Sequence, residues 1–132
     1  MVVHKHLIVK AEVKNPIVNP EIAIDWLRRL VDAIDMNITE HGGPYCDYVE
    51  KKGNKGIAAI VMIETSHISL HVWDKEEPPY AQIDVYSCAD FEWLDVIEFI
   101  KEMNATKIRF QLLDRGEMKT ELSGTLFPNK EM

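Results

Sequence analysis

Leu7, Val9, Ala11 and Val13 alternate with His6, Ile8, Lys10 and Glu12, the two-residue period of a strand that lays one face on a core. A helical rhythm follows. Asn19-Pro20-Glu21 offers a capping side chain, a proline at the first helical position and an early acid, and Trp26, Leu27, Leu30, Val31 and Ile34 then recur at helical spacing. This helix should end near Asn37. From Ile38 to Lys55 the chain carries Gly42-Gly43-Pro44 and the polar run EKKGNK, which predicts an irregular segment with a short strand around Cys46 to Val49. Residues 57 to 63 are almost all apolar, as in a central strand, and Ile68, Leu70 and Val72 then alternate with Ser69, His71 and Trp73. These two strands meet around Thr65-Ser66-His67. After the loop DKEEPP, Ala81, Ile83 and Val85 alternate with Gln82, Asp84 and Tyr86. Asp90 is the expected N-cap of a second helix whose Phe91, Leu94, Ile97, Ile100 and Met103 face the core, and Ile108, Phe110 and Leu112 form a last strand. The tail from about residue 117 reads as loosely organised.

Strand, helix, several strands, helix, strand is the order of an α+β two-layer sandwich, a mainly antiparallel sheet with two helices on one face. The 132 residues, 46% of them hydrophobic, supply one core, so 1–132 is expected to form a single domain. By strand parity the helix-free face carries Ser69, His71 and Trp73 beside Gln82, Asp84 and Tyr86. Aromatic rings among convergent polar groups point to a site or a subunit contact.

The formal net charge of -7 argues against nucleic acid or an anionic membrane as a partner, since phosphate would be repelled. It is compatible with a cationic small molecule. The apolar run near the N-terminus is too short for a signal peptide, and nowhere do eighteen apolar residues follow one another, so the expected location is cytoplasmic. Cys46 and Cys88 belong to no CxxC pair and should both be reduced. His4, His6 and His41 are the one set that could be read as a metal site, but histidines near a terminus are ordinarily just exposed, and no metal is expected.

The segment ETSHISLHVW, followed by AQIDVYSCADFE, resembles the signature of the small prokaryotic S-adenosylmethionine decarboxylases. In those enzymes a Glu-Ser-His-Leu-Thr-Ile-His-Thr-Trp segment precedes a strand ending in Thr-Cys-Gly or a similar triplet. The matching residues here are Ser66, His67, His71 and Trp73, then Asp84 and Cys88 after a loop about two residues longer. The likeness spans residues 4 to 115. Taken singly, each residue has an ordinary structural role: a turn serine, a small buried thiol, a hydrogen-bonded histidine. Only the constellation points to chemistry.

The resemblance implies that the backbone breaks between Thr65 and Ser66 and that Ser66 becomes a pyruvoyl cofactor. The serine hydroxyl would attack the preceding carbonyl to form an ester. A base would then remove the serine α-proton, and elimination followed by hydrolysis would leave the pyruvoyl group. His71 is implied as that base, an imidazole being suited to proton transfer near neutrality. The ketone would capture the substrate amine as a Schiff base and draw electrons from the bond to the carboxylate. Cys88 is implied as the donor that reprotonates the substrate carbon. Trp73, Asp84 and Tyr86 are the implied substrate-binding residues, with Trp73 facing a sulfonium as a cation-π partner. Two packed sheets in a homodimer complete the picture, because Trp73 and Tyr86 would otherwise face water.

Two positions depart from the family pattern. Thr65 stands where the family has Glu, with Glu64 one place earlier, and Ala58 stands where a serine assists processing. The branched Thr65 crowds the carbonyl to be attacked, and a missing polar donor to an oxyanion commonly costs a factor on the order of a hundred to a thousand. The expectation is slow processing or none. The leading function is a pyruvoyl-dependent decarboxylase, of S-adenosylmethionine and so in polyamine (spermidine) synthesis. The alternative is an unprocessed homologue that binds a small molecule or regulates a partner.

Overall fold

The computed structural model describes residues 2–128. Its elements are β1 (Lys5–Val13), α1 (Pro20–Ala33), β2 (Tyr45–Val49), β3 (Gly56–Ile63), β4 (Ser66–Trp73), β5 (Tyr80–Ser87), α2 (Trp93–Ile100), a 3-10 turn (Lys101–Met103), β6 (Ala105–Asp114) and β7 (Lys119–Leu126). The strands make one seven-stranded sheet in the order β2-β3-β4-β5-β1-β6-β7. Every neighbouring pair is antiparallel. The fold is therefore the expected α+β sandwich.

Strand parity makes the layers. Leu7, Val9, Val61, Ile68, Leu70, Ile83, Val85 and Ile108 fall on one face of the sheet and are no more than 5% exposed. The helix α1 covers the β2, β3 and β4 part of this face because its apolar stripe of Ala23, Trp26, Leu27, Leu30 and Val31 lies on one side. It starts where predicted, with the Asn19 side chain accepting the backbone N–H groups of Glu21 and Ile22. Trp26, 1% exposed, meets Phe99 of α2 edge-on at 5.6 Å, and Trp93 stacks on Phe110 of β6 at 4.6 Å. These ring pairs seat α2 beside α1 on the same face.

Three sequence expectations need correction. Asp90 does not cap α2; Glu92 does, accepting the Leu94 N–H, while Asp90 pairs with Lys5 Nζ. Lys5 also donates to the Phe91 carbonyl at 2.9 Å, so the chain is strapped to β1 before the helix can begin. Phe91 is buried ahead of the helix, and Leu94 in its first turn is half exposed. Nor is the tail loose over its described residues, since β7 pairs with β6 along its length, Leu122 opposite Leu112 and Gly124 opposite Phe110; residues 129–132 lie outside the described residues. Finally, the turn between β3 and β4 is Glu64-Thr65, with Ile63 opposite Ser66. The strands thus meet one residue earlier than the expected Thr65-Ser66-His67, and Glu64 is an exposed turn residue.

Candidate active site

The Glu64-Thr65 turn delivers Ser66 as the first residue of β4, opposite Ser87 at the end of β5. Its φ is 145°, a region that side-chain-bearing residues rarely enter, whereas Asp35, Asn104 and Met118, with φ of 59°, 52° and 54°, sit in the ordinary left-handed well. Such a residue stores roughly 1–3 kcal/mol of strain, held in place by its surroundings. Those surroundings are visible. The Cys88 N–H donates to the Thr65 carbonyl at 2.8 Å. The Thr65 hydroxyl accepts from the fully buried Ser87 at 3.0 Å and donates to Met36 Sδ at 3.3 Å. Ser87 Oγ in turn accepts the Ala89 N–H. The peptide joining Thr65 to Ser66 is therefore fixed on its N-terminal side by backbone and side chain together.

His71 lies elsewhere. It is five residues along β4 from Ser66, about 16 Å at strand rise, exposed on the helix-free face and paired with Ala58 of β3. The ring of Trp73 stacks with His71 at 6.0 Å and with Tyr80 at 5.0 Å, and its Nε1 donates to Asn54 at 2.8 Å. Close by, the Tyr48 hydroxyl donates to both oxygens of Asp74. The two departures from the family pattern are thus separated in the fold. Thr65 forms the scissile side of Ser66, and Ala58 accompanies His71.

Between these groups runs a polar network on the same helix-free face. His6 Nε2 donates to Asp84 at 3.0 Å, His67 Nε2 lies 3.5 Å from the same oxygen, and Ser69 donates to the other. Tyr86 packs among His4, His6 and His67, its hydroxyl 2.9 Å from His4 Nδ1, with the Arg115 guanidinium 3.9 Å over its ring. Burial pushes the Asp84 carboxyl up, but hydrogen bonds from His6 and Ser69, with the charges of His6 and His67, outweigh it and leave Asp84 below the ordinary carboxylate range. The folded state then holds fewer protons than the unfolded one in that window. Its stabilisation is present above the unfolded value of about 3.9 and is lost as pH falls through the lower folded value. Asp84→Asn should therefore flatten the acid loss of stability, read as the urea midpoint against pH below about 4.

The structure brings Thr65, Ser66 and Cys88 together, places His71 and Trp73 at the other end of β4, and sets Asp84 and Tyr86 between them. Sequence reading missed Ser87, Met36, Asn54 and Tyr48, and it raised His6 only as a possible metal ligand, not as the partner of Asp84. Ser87 alone carried a signal, as the neighbour of Cys88 in the matched triplet. Among the described residues no group of three or more His, Cys, Asp or Glu side chains is placed to hold a metal ion, so His4, His6 and His41 do not form one. No helix among them is long and apolar enough to cross a membrane.

Known proteins resemble this chain in sequence and in fold. The family model for S-adenosylmethionine decarboxylase matches residues 5–116. The arginine decarboxylase proenzyme of Aeropyrum pernix is 30% identical over 69 residues, 51% of each chain. An S-adenosylmethionine decarboxylase proenzyme of Clostridium botulinum (strain Loch Maree) is 28% identical over 85 residues, 64% of this chain and 66% of that one. The matched region thus spans only about half to two thirds of the length of these relatives. The proenzyme of C. botulinum strain Langeland is 26% identical over 102 residues, covering 76% of this chain and 81% of its own. The crystal structure of the Aquifex aeolicus adenosylmethionine decarboxylase superposes with a TM-score of 0.68 over 93% of this chain and 98% of that one, at 22% identity. With that fold and a family match over most of its length, the chain belongs to the S-adenosylmethionine decarboxylase family.

Proposed function

We propose that this chain is the precursor of a pyruvoyl-dependent decarboxylase, acting on S-adenosylmethionine for polyamine synthesis as a cytoplasmic homodimer. One observation carries the reading. The strained Ser66 follows a carbonyl that already accepts the Cys88 N–H at 2.8 Å. When the Ser66 hydroxyl attacks the Thr65 carbonyl carbon, negative charge grows on that oxygen, where a fixed donor is worth most. Collapse breaks the C–N bond, forms the ester and frees the strained backbone of Ser66. Removal of the Ser66 α-proton by a base then expels Thr65 as a carboxylate. Hydrolysis of the remaining dehydroalanine releases ammonia and leaves residues 66–132 with a pyruvoyl end. Nucleophile, strained peptide and oxyanion donor fit a group made in place from Ser66. When present, that group supplies an electron sink for loss of the substrate carboxylate. Cys88, whose backbone N–H reaches the Thr65 carbonyl, would return a proton to the substrate carbon through its thiol.

The proposed base cannot come from the same chain, because His71 is about 16 Å along the strand. A second copy must supply it. Apolar surface on the helix-free face favours such a contact, though not from the residues expected. Trp73 and Tyr86 are partly covered by their own chain, while Tyr45, Ile60 and Met62 are 59%, 48% and 51% exposed. The test mixes two inactive chains. Both chains carry Ala58→Ser and Thr65→Glu so that cleavage is fast enough to read. Ser66→Ala keeps His71 and His71→Ala keeps Ser66, so cleavage measured by intact mass should appear only after the two are unfolded and refolded together. In the same background Cys88→Ala should still cleave yet release little carbon dioxide from S-adenosylmethionine. Arginine serves as the rival substrate in the same assay, since a relative carries that name. Failure of complementation, with each variant folded and dimeric, would remove the shared site.

A second reading has its own support. Ala58 gives His71 no hydroxyl neighbour across the strand pair, so the chain could serve unprocessed as a binding or regulatory subunit.

A further inference from the structure

The helix-free face differs at its two ends. Toward β2 and β3 it is apolar, with Tyr45, Ile60 and Met62. Toward β6 and β7 it forms an open concavity of about 430 Å³ over β5, β1, β6 and β7. The side chains that line it from this face are Ile8, Lys10, Gln82, Arg109, Gln111, Ser123 and Thr125. They form two adjacent rows across the sheet: Gln82, Lys10, Arg109 and Thr125 are consecutive cross-strand partners, as are Ile8, Gln111 and Ser123.

We propose that this concavity binds a small oxyanion, carrying either a phosphate or carboxylates, outside the processing site. Lys10 and Arg109 stand directly opposite each other, a like-charge pairing that costs stability unless an anion lies between them. None of the ten lining residues is acidic, in a chain whose formal net charge is -7. The nearest carboxylates on this face are otherwise engaged or offset. Asp84 is bound by His6 and Ser69, and Glu12 sits two residues along β1 opposite Lys107. Lys10 Nζ lies 4.5 Å from the Tyr80 ring centroid, a contact that leaves its N–H donors for an anion. Arg109 offers a planar fork suited to two oxygens of one ligand. Two amides and two hydroxyls add neutral donors, which distinguish a recessed oxyanion from a diffuse counterion cloud. Gln82 is also the cross-strand partner of His71, so the bound anion would sit in the same row as the proposed base.

Calorimetry of the full chain at low ionic strength tests the site, and its readout does not depend on whether the backbone has been cut. Inorganic phosphate and succinate are titrated separately, and the tighter of the two identifies the ligand class. Saturable binding is expected, weakened about tenfold or more by Arg109→Gln and by Lys10→Gln, and nearly unchanged by Lys107→Gln. Equal weakening by all three variants would reduce the effect to general attraction and overturn the proposal. So would an absence of heat for both ligands. If Arg109→Gln instead converts a dimer to a monomer and neither anion binds, the cations meet a carboxylate of a second copy, and the small-ligand site is wrong.

Discussion

Purified wild-type chain is expected to remain largely intact, while Ala58→Ser combined with Thr65→Glu should split into residues 1–65 and 66–132. Each half of the double change restores a different part of the chemistry. Ala58 is the cross-strand partner of His71 and lies far along the sheet from Ser66 of its own chain. A hydroxyl placed there would act beside the partner's scissile peptide, where loss of one oxyanion donor costs a factor on the order of a hundred to a thousand. Thr65 acts closer. Its hydroxyl is tied to Ser87 and Met36, which holds the branched side chain against the carbonyl to be attacked. Glutamate removes the branch and both ties. Intact mass after a fixed incubation reads the result, and hydroxylamine should release any ester trapped at Ser66 in the wild type. Complete spontaneous cleavage of the wild type during expression would falsify the claim that processing is slow. An uncleaved double variant, still folded, would mean that the Ser66 backbone is held in an unproductive geometry, and the binding-subunit reading would take first place.

The second large effect is on stability. Gly56→Ala should cost about 3–4 kcal/mol and lower the melting temperature by on the order of 10 °C. Gly56 opens β3 with φ of +147°, and a Cβ there would fall 1.7 Å from the Val72 carbonyl oxygen and 3.3 Å from the Trp73 Cα. Both obstacles are backbone, so no side chain can swing aside. The strands would have to separate where β4 carries His71 and Trp73. Gly53→Ala is the control, since φ is +81° there but nothing lies within 4 Å of the added carbon. It should lose only about 1 kcal/mol, the conformational share alone. Equal losses at the two positions would show that the close approach is not what Gly56 serves.

How much of this could be read in advance follows from burial. The strands β1, β4 and β5 and the helix α1 were legible because their inward residues are nearly all buried, so burial imprinted a period on the sequence. β7 has no such imprint. It is an edge strand whose residues are exposed except for the partly covered Leu126, and what holds it is backbone pairing to β6, which any side chains allow. The start of α2 was misplaced for a different reason. Asp90 satisfies the local rule for a cap, but Lys5, 85 residues earlier, claims its carboxylate. Of the candidate site, residue types and chemistry came from the resemblance, while the separation of His71 from Ser66 needed only the register of one strand. The clamp of Ser87 on Thr65 was not legible, because a buried serine that bonds a threonine across a sheet leaves no pattern in either residue's neighbourhood.

The place of β1 between β5 and β6 has a consequence for the proposed cut. A break after Thr65 would put β1, α1, β2 and β3 in one fragment and β4 to β7 in the other. Yet β1 is hydrogen-bonded on both edges to strands of the second fragment, and β3 is hydrogen-bonded to β4. The two pieces would be woven through each other like warp and weft. Neither could leave without tearing three strand seams and exposing a shared core. A processed molecule would therefore migrate as one particle under native conditions and come apart only in denaturant.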